Sequence, residues 1–140
     1  MTEVLFYRLS TRSINERCLF VCKLTEKAYR LGRKILIRTE SGQQSRYLDN
    51  QLWIFRQQSF IPHTLASNAQ QAQAVPVLLS ETGVFAGFED VLINLHGHLP
   101  ESIERFQRIV ELVDDDERVR QQQRQKYRQY TAMGYRPEMR

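Results

Sequence analysis

Apolar and polar positions fall in blocks along this chain, and the period of the blocks changes. Val4-Leu5-Phe6-Tyr7 is a short apolar run that predicts a buried strand. Ser13-Ile14-Asn15-Glu16 follows as a capping box, in which the Ser hydroxyl accepts from the amide three residues on and the Glu reaches back. Ile14, Cys18, Val21, Ala28 and Leu31 then keep helical spacing as an inward stripe, and Gly32 supplies the stop. Lys34-Ile35-Leu36-Ile37-Arg38, β-branched at its centre and charged at its ends, suits a central parallel strand covered on both faces. Ser41 to Gln44 offers a second capping box before a helix whose stripe is Leu48, Leu52 and Phe55.

The pattern changes after residue 55. Phe60-Ile61-Pro62-His63 reads as extended, and 67–74, rich in Gln and Ala with little to bury, as an exposed loop. Residues 76–80 and 90–95 are two further strands, flanking a turn or excursion over 81–89 with Gly83 and Gly87 at its joints. Ile103 and Phe106 suggest a short helix, and Ile109-Val110-Glu111-Leu112-Val113 the last strand. The acidic run 114–117 stands where a helix begins, as the helix dipole favours. A long basic helix extends from there to about Ala132, and Gly134 ends it.

The order β-α-β-α-β-β-α-β-α predicts a three-layer α/β fold with a mostly parallel sheet. At 140 residues, surface scaling predicts burial of roughly two-thirds of the extended chain's area, ample for one core and too little for two domains. One domain is therefore expected over 1–136, with a frayed end at 137–140. The hydrophobic fraction of 41% is ordinary for a globular chain and argues against disorder. No apolar run reaches membrane-spanning length, and Met1-Thr2-Glu3 lacks a basic region followed by an apolar one, so a cytoplasmic location is expected.

Net charge is only +4, but its distribution is uneven. Residues 1–100 carry 11 basic and 8 acidic side chains, whereas 118–136 hold Arg118, Arg120, Arg124, Lys126, Arg128 and Arg136 with no acid. A local patch of that kind steers an acidic partner where the global charge cannot. Arg120, Arg124 and Tyr127 lie at i, i+4 and i+7, on one helix face, with Arg128 and Tyr130 falling away from it. Two guanidinium groups beside an aromatic ring suit a carboxylate next to a hydrophobic side chain, or equally phosphates beside bases. The bland alternative is a solvated helix with Tyr127 packing at its edge. Trp53 lies off the stripe of its own helix, as a boundary packer or an interface anchor.

Enzyme chemistry finds little support. No G-x-G-x-x-G follows the first strand and no phosphate loop is present, so no nucleotide-binding loop and no cofactor are expected. Cys18 and Cys22, four apart in a helix, read as small core residues, because no second pair completes a metal set. Asp90 and Asn94 could share a strand face with His96. His96-Gly97-His98 is half a metal site at best, and equally a turn. Residues 114–117 read as mostly solvated helix caps. No catalytic or metal-ligating residue is assigned.

With those residues in view, the chain resembles the chi-subunit family of bacterial DNA polymerase III holoenzyme. The resemblance covers nearly the full length: Phe6-Tyr7, Gly32-Arg33-Lys34-Ile35-Leu36-Ile37, Tyr47-Leu48-Asp49-Asn50-Gln51-Leu52-Trp53, Ser59-Phe60-Ile61-Pro62-His63, Asp90-Val91-Leu92-Ile93-Asn94-Leu95, and Lys126-Tyr127-Arg128-Gln129-Tyr130 before Gly134-Tyr135. It implies a Rossmann-like, non-enzymatic adaptor that links the clamp loader, through its psi subunit, to the acidic, Phe-terminated tail of single-stranded DNA-binding protein. The tail-binding positions it implies are Val113, Arg120, Arg124 and Tyr127, with Trp53 close by. Arg124 would meet the terminal carboxylate, and Val113 and Tyr127 would line the pocket for the ring. Phe60 would face psi, or an XPD-like accessory helicase competing for the same surface. The alternative is direct binding of single-stranded nucleic acid along the basic C-terminal helix.

Three features depart from the family pattern. Segment 81–89 carries Phe85, Phe88 and acids where members can be basic, position 120 is Arg where Lys also occurs, and the acids at 114–117 would repel an acidic tail if they turned toward Arg120.

Overall fold

A computed structural model describes residues 1–55, 60–66, 75–82 and 85–140. The elements in chain order are β1 (Glu3–Arg8), α1 (Ile14–Arg30), β2 (Ile35–Arg38), α2 (Gly42–Ile54), β3 (His63–Leu65), β4 (Val77–Ser80), β5 (Val91–Asn94), a 3-10 turn (Ile103–Arg105), β6 (Arg108–Val113), α3 (Glu117–Ala132) and β7 (Glu138–Met139). The strands form one sheet in the order β3-β4-β2-β5-β6-β1-β7, and every pairing in it is parallel.

Strand periodicity splits the core in two. Ile35, Ile37, Val77, Leu79, Ile93 and Val110 point to the face covered by α1 and α2, where Cys18, Val21, Cys22, Leu48 and Leu52 meet them. Leu36, Leu78, Leu92 and Ile109 point to the other face, under α3, Phe88, Ile103 and Phe106. Strands covered on both sides read as continuous apolar runs, which is why β2 was legible as a central strand. Both cysteines are buried and unbridged, in keeping with small core residues.

Both capping boxes form in their forward half, the serine accepting from the amide three residues on, and differ in the return bond. Ser13 Oγ accepts from Glu16 N, while Ser13 N donates to Thr11 Oγ1 rather than to the Glu16 carboxylate. Ser41 Oγ accepts from Gln44 N, and Gln44 Oε1 reaches one residue further back, to Glu40 N. Gly32 and Gly134 take φ of +77° and +95° at the ends of α1 and α3, in the left-handed region that stops a helix.

Several expectations are corrected. Ile14 and Leu31, assigned to the inward stripe of α1, are 75% and 68% exposed. Ile14 is the first residue of a 17-residue helix and Leu31 its C-cap; the helix is about 25 Å long, longer than strands of four to six residues, so its ends have less sheet to pack against than its middle. The end expected to fray is paired: Leu5 and Phe6 register with Glu138 and Met139, and Arg140 N donates to Phe6 O while Arg8 N donates to Arg140 O. Pairing to the free edge of β1 satisfies the backbone that would otherwise be mobile. The helix suggested by Ile103 and Phe106 is a single 3-10 turn. The exposed-loop reading of 67–74, and Gly83, lie outside the described residues. No helix among the described residues is long and apolar enough to cross a membrane.

Candidate functional site

The chain leaves β1 through α1 on one face of the sheet and leaves the adjacent β6 through α3 on the other. Where neighbouring parallel strands send their connections to opposite faces, a crevice opens beyond their carboxyl ends. Here it is a cleft of about 470 Å³. Phe6 and Arg8 of β1 line it with Leu9 and Ser10 just after that strand, Val113 to Asp115 from the end of β6, Arg120, Gln123, Arg124 and Tyr127 from α3, and Met139 from β7.

The start of α3 is fixed by its own acids. Asp116 Oδ1 caps the helix, accepting from Arg118 N at 2.8 Å and Val119 N at 3.4 Å. Asp114, expected to be solvated, is buried: it accepts from Asp116 N and lies 3.8 Å from Arg17. Asp115 turns into the cleft and accepts from the Arg120 guanidinium at 2.7 Å. The acid that would oppose an acidic ligand therefore already occupies one of the two predicted cations. Arg124 is less committed, with Glu117 at 3.8 Å and both side chains more than 60% exposed.

The rotation of α3 is set from beneath. Glu111, in the middle of β6, has no solvent exposure. Its Oε1 accepts from Gln123 Nε2 at 3.1 Å and Lys126 Nζ at 2.9 Å, and its Oε2 from Asn94 Nδ2 at 2.9 Å and the Tyr130 hydroxyl at 2.8 Å. Burial and the adjacent carboxylate push the Tyr130 phenol far above its ordinary range, so it stays a donor. With Gln123, Lys126 and Tyr130 turned inward, Arg120, Arg124 and Tyr127 come round to the cleft. Tyr127 lies with its ring 5.4 Å from that of Phe6 and donates its hydroxyl to Pro137 O. Lys126, counted from sequence with the exposed basic residues, is 3% exposed and belongs to this network.

Val113, Arg120, Arg124 and Tyr127 line this one cleft, and Trp53 is not among them. Trp53 sits on α2, on the opposite face of the sheet, its ring 4.4 Å from His63 of β3 and 5.1 Å from Phe60. Four or five strand spacings, roughly 20 Å or more, separate β3 from the cleft. Helix spacing could not reveal this, because it says nothing about which strand a helix crosses. Trp53, Ile54 and Phe60 are 47%, 68% and 64% exposed and make a second, apolar surface at the β3 edge. His63 is buried beneath it, with Nδ1 2.6 Å from Ile61 O and Nε2 3.1 Å from Asp49 O.

The other candidates have structural work. Asp90 accepts from Lys34 N, and Asn94 donates to His98 O and Glu111, so Asp90, Asn94 and His96 assemble no shared centre. His98 N donates to His96 Nδ1, the bond of a turn. No cluster of His, Cys, Asp or Glu among the described residues could hold a metal ion. In segment 81–89, Phe88 is buried with Lys34 Nζ 5.5 Å from its ring centre, and Phe85 packs against the same core. Sequence reasoning missed Arg8, Met139 and the Glu111 network. A lone acid in the apolar run 109–113 was the one available signal, since such a charge is kept only when paired. Arg8 carried none, because its place depends on a β1–β6 pairing about a hundred residues apart.

The sequence model of the family described as "DNA polymerase III chi subunit, HolC" matches residues 1–138. The chain is 36% identical over 135 residues to a Pseudomonas aeruginosa protein named DNA polymerase III subunit chi, covering 96% of this chain and 93% of that one. Proteins of the same name from Haemophilus influenzae and Escherichia coli are 32% and 27% identical, covering 81% and 82% of this chain and 79% and 78% of their own lengths.

Proposed function

The chain belongs to the DNA polymerase III chi subunit family, a non-catalytic accessory part of the holoenzyme, and on that premise we propose that it is an adaptor with two separate docking surfaces. The cleft between β1, β6 and α3 takes the acidic, Phe-terminated tail of single-stranded DNA-binding protein. Arg124 meets the terminal carboxylate with charge-assisted hydrogen bonds, Val113 and Tyr127 flank the phenyl ring, and Arg120 adds positive charge. The observation that carries this reading is the convergence of those four side chains on one cleft. The apolar surface of Phe60 and Trp53, across the sheet, takes the psi subunit or an XPD-like accessory helicase, one at a time.

The test is a pair of variants titrated against two ligands. Arg124→Ala weakens binding of an acidic peptide ending in Phe by about 1.5–3 kcal/mol, the worth of hydrogen bonds to a charged group, and leaves psi binding unchanged. Phe60→Ala does the reverse. Equal effects of both variants on both ligands would contradict the two-surface reading. Direct binding of single strands by α3 would appear as tight, steeply salt-dependent binding of an oligonucleotide alone; the burial of Lys126 shortens the basic strip it would need.

A further inference from the structure

We propose that Arg8 is a third cation of the tail cleft and the residue that reads an acidic side chain just upstream of the terminal Phe. The inference rests on the tail-binding reading of the cleft and adds a specificity-determining residue to it.

Placement comes first. Arg8 is the last residue of β1, in register with Val113 of β6, and its backbone N–H is held by Arg140 O at 3.0 Å. Side chains two apart on a strand share a face. Phe6 packs against Tyr127 and Tyr130 of α3, so Arg8 projects on the α3 side, where it lines the cleft.

Charge comes second. Arg120 is engaged by Asp115 at 2.7 Å and Arg124 has Glu117 at 3.8 Å, whereas Arg8 is exposed and has no ion-pair partner among the described residues. An incoming carboxylate reaches Arg8 without breaking an existing pair. Asp114 and Asp115, which line the cleft at the end of β6, already lie against Arg17 and Arg120, so that end offers little free positive charge and the end of β1 offers Arg8.

Reach comes third. Neighbouring strands lie about 4.8 Å apart and an extended peptide advances about 3.3 Å per residue. A chain whose last ring sits against Val113 and Tyr127 therefore passes Arg8 within one to three residues. The acidic positions nearest the terminal Phe are the ones in range.

The experiment measures Kd by fluorescence anisotropy at low salt for two labelled peptides: an acidic peptide ending in Phe, and the same peptide with its Asp residues replaced by Asn. Arg8→Gln weakens the acidic peptide roughly 3–5-fold and the neutral one less than 2-fold, as expected for one well-placed exposed charge pair. Arg8→Lys retains most of the affinity, and thermal melts of both variants stay at the wild-type midpoint. Arg124→Ala weakens both peptides, because the terminal carboxylate is common to them. Arg8→Gln acting equally on the two peptides, or on neither while Arg124→Ala still weakens both, overturns the role of Arg8 and leaves the cleft. Loss of any Arg124 effect removes the cleft reading and this inference with it.

Discussion

Lys126→Met tests what positions α3. The Lys126 ammonium and the Glu111 carboxylate are 2.9 Å apart with side chains 4% and 0% exposed, and Nζ also donates to His96 O. Methionine keeps most of the stem volume, so the cavity contribution is small. What changes is that Glu111 stays buried with three neutral donors and no direct ion-pair partner, only the charge of Arg38 acting from further off. Breaking one side of a buried pair costs about 3–5 kcal/mol, a large share of the roughly 5–15 kcal/mol that holds a domain of this size. The fall in Tm is on the order of 10–20 °C. Urea melts should show the midpoint falling at constant slope. Glu111→Gln should cost a comparable amount, and the double variant less than the sum, because the second change no longer strands a charge. A loss below about 1 kcal/mol for Lys126→Met would refute the reasoning, since that is the range of an exposed pair.

Two further outcomes follow from the cleft and its rim. Asp115→Asn frees Arg120 and removes an anion, so it should tighten binding of the acidic peptide about 2–5-fold at low salt, with the gain fading as salt rises; weaker binding would mean that Asp115 positions Arg120 rather than competing for it. His96 titrates below the ordinary imidazole value of 6.5, through burial first and then the charges of Arg38 and His98, with Glu40 opposing them and Lys126 adding least. The unfolded chain therefore binds the proton more readily, and the native state loses stability as pH falls from about 6.5 toward the lowered native value. Urea midpoints between pH 5 and 7.5 should show a shallower slope for His96→Gln than for the wild type; identical slopes would exclude His96 as a contributor.

Arg120, Arg124 and Tyr127 were legible because their relation is local. A helix places residues four and seven apart on one face whatever surrounds it, and the cap and stop at Asp116 and Gly134 bound that helix from within. Trp53 was misplaced for the opposite reason. Its position beside Phe60 and His63 depends on where α2 crosses the sheet, which no spacing within α2 encodes. The edge strands β3 and β7, with three and two residues, are too short to carry a periodic signal and owe their conformation to the strand beside them.

By itself the sequence determined the repeating units: which segments are strands buried on both faces, which are capped helices, and that one helix carries guanidinium groups and a ring on a single face. Those follow from backbone geometry and from the cost of exposing apolar side chains, both of which act within a dozen residues. Only the tertiary structure decided that β1 lies beside β6, that Glu111 turns α3 by gathering four donors, and that Arg8 lines the cleft beside α3. Each of those depends on contacts between distant segments whose energies are comparable to those of rejected pairings, so they are settled by how the whole core packs rather than by any local pattern.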